Sequence, residues 1–225
     1  MEEVKLDNGL ASVKAEQIRS IVFDLDGTLY VNPAIGGEIE KTACNLIANS
    51  RGVPPTTGWD LLDRARKQLS EMNDVTPTLT RTCMELGIEA REFHQALEQQ
   101  VHPENHLSPD PLLRSLLAPL TQFSELYVYT NNNYSLSLKI LSLLGVEDLF
   151  KHLYTIEFCW QPKPDIDALQ RVMADIGGSL ESFLFVGDRE QVDLLGPSEF
   201  GSNTLLVREV SDLLLIHKLL DVSGS

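Results

Sequence analysis

The sequence predicts an α/β protein: a doubly wound, Rossmann-like parallel sheet core carrying an inserted all-helical cap domain. Three observations predict it. Short β-rich apolar runs recur at residues 20–23, 126–129, 183–186 and 204–207, and short, uniformly apolar runs suit strands buried on both faces of a parallel sheet. Between the later runs, residues 135–144 and Ile166–Ile176 carry leucines or alanines at three-to-four-residue spacing, so strand and helix alternate as a doubly wound sheet requires. From residue 31 to 108 the alternation stops, with no convincing strand and a series of amphipathic helical patterns.

Taken in chain order, the first strand, Ser20–Phe23, runs directly into Asp24-Leu25-Asp26-Gly27-Thr28. Side chains alternate along a strand, so Asp24 and Asp26 start on the same side. Two carboxylates that close repel each other and call for a divalent cation or a shared proton. Gly27 allows a sharp turn, after which Thr28 can offer its hydroxyl and backbone N–H to an anion beside the cation. Helical patterns follow at 38–49, 59–71, 79–86 and 92–101, broken at Gly52-Val53-Pro54-Pro55, Pro77 and Gly87. Ligands of open α/β sheets bind beyond the carboxyl ends of the strands, so an insertion at the end of the first strand is expected to cover the site. This divides the chain into a core of 1–30 and 109–225 and a cap of 31–108.

The second strand delivers Thr130-Asn131-Asn132-Asn133, hydroxyl and amide groups that can hydrogen-bond an oxyanion without adding charge. Thr130 could equally initiate the next helix. A weaker strand is expected near 153–156. In Gln161-Pro162-Lys163-Pro164 the two prolines hold a lysine in an extended, pre-set backbone, suited to balancing carboxylates and a phosphate. The fourth run, 183–186, ends in Gly187-Asp188, with Asp193 five residues further on. Asp188 could bind an oxygen-seeking metal and Asp193 could support it from behind. The leucines of 112–120 and 211–220 read as helix core. His102 and His106 have a helical four-residue spacing, but Pro103 argues against a zinc site. Neither Gly-x-x-x-x-Gly-Lys-[Ser/Thr] nor Gly-x-Gly-x-x-Gly occurs.

Composition narrows the partners. With 33 acidic and 18 basic residues the net charge is -15, a field that disfavours nucleic acid and anionic membrane surfaces. It also disfavours phosphorylated ligands, unless a metal, a lysine and backbone N–H groups invert the potential locally. Cys44, Cys83 and Cys159 are far apart and form no Cys-x-x-Cys pair, so a reducing cytosol is the expected compartment. The first twenty residues lack the apolar stretch of a secretory signal, and no run of 18 apolar residues occurs. A cytoplasmic protein is expected, and its C-terminal tail at Ser223–Ser225 is expected to fray.

The ordered set Asp24-x-Asp26-Gly-Thr28, helical insertion, strand–Thr130, Lys163-Pro164 and Gly187-Asp188-Arg189-x-x-x-Asp193 resembles the haloacid dehalogenase superfamily of aspartate-nucleophile phosphotransferases. The likeness covers the core, about two thirds of the chain, and the insertion resembles the family's first cap type, as in phosphoglycolate phosphatases, phosphomutases and pyrimidine nucleotidases. The resemblance implies Asp24 as nucleophile and Asp26 as general acid–base, with Thr130 and Lys163 orienting the phosphate. It also implies Mg²⁺ held by Asp24, Asp26 and Asp188. Thr28, Thr130, Asn131 and Lys163 are then the expected substrate-binding residues. The implied activity is Mg²⁺-dependent phosphomonoester hydrolysis through an aspartyl-phosphate, on a small phosphorylated metabolite or nucleoside monophosphate. A phosphomutase and a non-catalytic binding or regulatory protein on the same scaffold are the alternatives. Dehalogenation is disfavoured by Asp26, since carbon–halogen cleavage leaves no alkoxide to protonate.

Overall fold

The computed structural model describes residues 18–73 and 75–220; the tail at Ser223–Ser225 and most of the first twenty residues lie outside that part. Five parallel strands form the core: β1 Ser20–Phe23, β2 Glu125–Tyr129, β3 Phe150–Tyr154, β4 Phe183–Gly187 and β5 Asn203–Leu206, in the order β3-β2-β1-β4-β5. Central β1 is buried along its whole length. Its alternating side chains feed two cores, Ile21 and Phe23 into one, and Val22 into another with Tyr127, Tyr154, Val172 and Phe185. Phe23 stands in register with Val128 on one side and Val186 on the other. The residues that follow these strands, Asp24, Thr130 and Asp188, therefore emerge at one edge of the sheet.

Between β1 and β2 the helical insertion comprises α1 Pro33–Arg51, α2 Pro55–Asn73, α3 Leu79–Glu85, α4 Ala90–Gln100 and α5 Pro111–Leu117. Ile47, Leu62, Phe93 and Leu97 of the insertion share one apolar cluster with Phe23, Leu141 and Val186 of the sheet layers, so burial of a common surface joins the two parts. The remaining helices are α6 Tyr134–Leu144, α7 Ile166–Ile176, α8 Leu195–Glu199 and α9 Leu214–Leu219.

Several boundaries differ from the expected ones. Helix α1 starts five residues before the expected 38, because the Asn32 side chain accepts from Ala34 N at 3.0 Å and Ile35 N at 3.3 Å, with Pro33 opening the first turn. Strand β3 lies at Phe150–Tyr154 rather than 153–156; it is an edge strand whose Lys151 and His152 are exposed, which removes the apolar run. The leucine helices expected over 112–120 and 211–220 are shorter, being partly 3₁₀ turns at Ala118–Gln122 and Val210–Leu213. The histidines of 102–106 serve the insertion's return: His106 Nε2 lies 2.8 Å from Glu38 Oε1, and His102 N donates to Glu38 Oε2 at 2.8 Å.

Candidate active site

Lys163 organises the strand ends. Its ammonium, almost fully enclosed at 4% exposure, donates to Asp24 Oδ1 at 2.7 Å, Asp193 Oδ1 at 2.7 Å and the Tyr129 carbonyl at 2.8 Å. All its donors are thereby used. Burial works against the charge, but Asp193 and Asp24 hold the Lys163 pKa above its ordinary value. The loop is gripped by Asn131, whose Oδ1 accepts from Lys163 N at 2.6 Å and whose Nδ2 reaches Lys163 O at 3.4 Å. Burial likewise pushes Asp24 up to about 7, with Lys163 pulling it down and Asp193 and Asp26 adding repulsion. Thr28, wholly buried, donates its hydroxyl to the second oxygen of Asp24 at 3.3 Å.

Asp26 occupies different surroundings. The Tyr30 hydroxyl donates to its Oδ1, and Asn132 Nδ2 donates to its Oδ2 at 3.0 Å. Burial raises its pKa while these hydrogen bonds lower it, and the net direction is upward. Two carboxylates two residues apart thus have distinct partners, one a lysine and the other a phenol and an amide. Such separation lets one act as a nucleophile and the other as a proton carrier.

A third acidic element closes the cluster. After Gly187 the chain turns through a π-helical segment, Glu190–Leu194, that brings Asp193 back to accept from Arg189 N at 3.0 Å. The turn needs Gly187: a Cβ there would stand 2.4 Å from that of Asp193. Carboxylate oxygens of Asp24, Asp188 and Asp193 lie within 4.8 Å of one another, and the buried Oδ1 of Asp188 has no hydrogen-bond partner. Burial, with Asp193 beside it, raises the Asp188 pKa. Three clustered oxygen donors, one of them orphaned, fit a hard divalent cation, which would supply the positive charge that the raised acids lack.

Gly27 holds this arrangement in register. Its φ is +94°, and a Cβ there would sit 2.4 Å from Asp188 Oδ2. Gly27→Ala is expected to destabilise the fold by about 1–3 kcal/mol through the strained backbone, and to lower metal affinity by displacing Asp188. Denaturant midpoints and metal titration by calorimetry measure the two effects; an unchanged metal affinity would show that the contact is relieved elsewhere.

The structure brings Asp24, Thr28, Lys163, Asp188 and Asp193 into one contact network. The Asp26 side chain faces Tyr30 and Asn132, outside the three-acid cluster. Thr130 is buried on the cavity wall and accepts at Oγ1 from Asn132 N at 3.1 Å. The helix start that Thr130 could have supplied belongs to Asn133, whose side chain accepts from Leu136 N at 2.8 Å. Tyr30 and Asn132 were absent from the expected set. Their signals were a phenol four residues after Asp26 and the middle of an asparagine run. These side chains open onto a cavity of about 360 Å³, lined on the opposite side by residues of the insertion.

A lysine-bridged carboxylate cluster at the strand ends, roofed by a helical insertion, defines a capped α/β enzyme. The chain belongs to the haloacid dehalogenase-like hydrolase family, which it matches over residues 18–201. It is 26% identical over 180 residues to a phosphoglycolate phosphatase of Cereibacter sphaeroides, covering 76% of each chain. Among solved structures it is similar to a HAD phosphatase of Thermococcus onnurineus (TM-score 0.58, 17% identity, 90% of this chain and 98% of that one). It is also similar to the magnesium-bound YfnB of Bacillus subtilis (TM-score 0.56, 20% identity, 91% and 99%). The L-2-haloacid dehalogenase of Xanthobacter autotrophicus shares the fold as well (TM-score 0.51, 19% identity, 92% and 84%). Phosphatases and a dehalogenase on one fold mean that the site, not the fold, must choose the chemistry. Among the described residues, no helix is long and apolar enough to cross a membrane.

Proposed function

We propose that this protein is a Mg²⁺-dependent phosphomonoester hydrolase that works through an aspartyl-phosphate on Asp24, with a small phosphorylated metabolite or nucleoside monophosphate as substrate. The observation that carries the reading is the division of labour between the two aspartates. Asp24 is held by Lys163, and Asp26 stands apart on Tyr30 and Asn132. A dehalogenase has no leaving alkoxide for Asp26 to protonate, whereas phosphoester cleavage does. The name of the Cereibacter relative supports the same choice.

In the proposed reaction the Asp24 carboxylate attacks phosphorus, and the P–O bond to the alcohol breaks as Asp26 delivers its proton to the departing oxygen. Asp26, then ionised, takes a proton from the water that attacks the phosphorus, and Asp24 is released as a carboxylate. Lys163 favours the ionised form of Asp24 and aims it, and its charge compensates the phosphoryl oxygens. Thr130 lies on the cavity wall, where its hydroxyl can orient the phosphate. Asn131 acts by holding the Lys163 backbone. Magnesium, held by Asp24 and Asp188 with Asp193 adjoining, would supply Lewis-acid neutralisation of the phosphoryl group. We place the cap at 31–108, supported by bonds that tie α5 to the core: Asp110 N to Leu144 O at 3.0 Å and Arg114 Nη1 to Gly145 O at 2.7 Å. The free thiols of Cys44, Cys83 and Cys159 suit a reducing cytoplasm.

Chelator-treated protein is expected to lose phosphate release from a phosphomonoester panel, to regain it with Mg²⁺, and to be inhibited by Ca²⁺, whose larger and looser shell misplaces the attacking carboxylate. Full activity in excess chelator would overturn the metal assignment. Halide release from a 2-haloacid without phosphatase activity would overturn the reaction itself.

A further inference from the structure

The cap-side wall of the cavity is built from Val31, Ile39, Leu79, Phe93 and Leu97. Phe93 and Leu97 are buried at 1% and 2% exposure, Ile39 and Leu79 are partly buried, and Val31 is open at 62%. Most polar groups interleaved with them already have partners, the buried Nδ1 of His94 excepted. Thr78 Oγ1 accepts from Arg81 N at 3.3 Å, Thr80 Oγ1 lies 3.0 Å from His94 Nε2, and Asn32 caps α1. His94 contributes no charge at neutral pH, since burial pushes its pKa down to about 4.

Among the described lining residues only Lys163 and Arg189 carry fixed positive charge. Lys163 is committed to Asp24, Asp193 and the Tyr129 carbonyl at the phosphate end. Arg189 lines the same cavity and donates Nη2 to the Thr76 carbonyl at 2.6 Å, in the segment joining α2 to α3. A second anionic group on the substrate would thus be moved from water to a largely apolar wall, where Arg189, already tied to the Thr76 carbonyl, is the one fixed cation left among the described lining residues, which is unfavourable. The net charge of -15 acts in the same direction at longer range. The volume, about 360 Å³, lies near the lower end of ligand cavities, which run from roughly 300 to 1,000 Å³.

We infer that the site, on the phosphatase reading above, takes phosphomonoesters of small, uncharged and mainly apolar alcohols, such as a single-ring arylmethyl alcohol, and rejects leaving groups that carry a second anion. Hydrolysis of such a substrate transfers the phosphoryl group to water, giving the free alcohol and inorganic phosphate.

Benzyl phosphate and phosphoglycolate test this, because both release primary alkoxides and differ chiefly in what faces the wall. With Mg²⁺ present, kcat/KM for benzyl phosphate is expected to exceed that for phosphoglycolate by about a hundredfold or more. Direct calorimetric binding of the non-hydrolysable analogues should follow the same order, with 2-phenylethylphosphonate at least about tenfold tighter than 3-phosphonopropionate. Equal or better use of phosphoglycolate, or equal binding of the two phosphonates, overturns the inference and assigns Arg189 to a substrate anion, while leaving the phosphatase reading intact. Turnover of no phosphomonoester overturns the phosphatase reading instead, and the phosphonate pair still decides what the wall prefers. Val31→Lys, at an exposed position that tolerates the change, should narrow the benzyl-to-glycolate ratio at least about tenfold; an unchanged ratio refutes the charge argument.

Discussion

Asp24→Asn is expected to lower kcat/KM about a thousandfold or more while leaving the protein folded. The amide keeps the size of the side chain but cannot form an acyl-phosphate by carboxylate attack, and nucleophile losses are of this order or larger. Removing one member of a buried ion pair commonly costs about 3–5 kcal/mol. Here Lys163 retains Asp193 at 2.7 Å and the Tyr129 carbonyl at 2.8 Å, so its charge is not stranded. The change also relieves repulsion among Asp24, Asp26 and Asp193, which contributes to the raised Asp24 pKa. Metal-free Asp24→Asn should therefore unfold at a temperature close to that of the unaltered protein, or above it. A folded variant that keeps more than about a hundredth of the activity would contradict the assignment of the nucleophile.

The sequence made the sheet and the acids legible for one physical reason: buried parallel strands are uniformly apolar, and each ends abruptly in polar groups. Ser20–Phe23 is followed at once by Asp24, and Phe183–Gly187 by Asp188. The same reasoning missed most of β3, because an edge strand with exposed Lys151 and His152 carries no such signature. Within the site, pattern could say that residues 130–133 lie together but not which way each side chain turns. Asn131 turns to the Lys163 backbone, Asn132 to Asp26, and Asn133 to the first turn of α6. Three consecutive identical residues take three different tasks, and for Asn131 and Asn132 the task is decided by tertiary neighbours far away in sequence. Tyr30 was hidden for a related reason. A tyrosine after a buried leucine reads as core, which it also is at 6% exposure, and only the turn at Gly27 brings its hydroxyl onto Asp26. The cap-side wall was illegible as a binding surface because its residues follow the same helical periodicity as any packed helix face.

Lys163→Met is the second large effect expected. The methionine fills much of the space of the lysine stem and leaves Asp24 Oδ1, Asp193 Oδ1 and the Tyr129 carbonyl without the donor they share. Two buried carboxylates that lose their cation take up protons more readily, and a protonated Asp24 is a poor nucleophile. The lost charge also leaves the phosphoryl oxygens less compensated in a protein whose net charge is -15. Transition-state stabilisation should fall by roughly 3 kcal/mol or more, in line with removal of one preorganised donor, and vanadate should bind more weakly. Lys163→Arg should restore little. The enclosure is fitted to a compact ammonium with three divergent donors, and a planar guanidinium presents its donors in a rigid fork that cannot reach the same acceptors. Comparing kcat/KM and vanadate affinity for the two variants measures this directly. Wild-type kinetics in a folded Lys163→Met protein would mean that the ammonium only cements the loop, and that Asp24 is kept ionised by something else in the site.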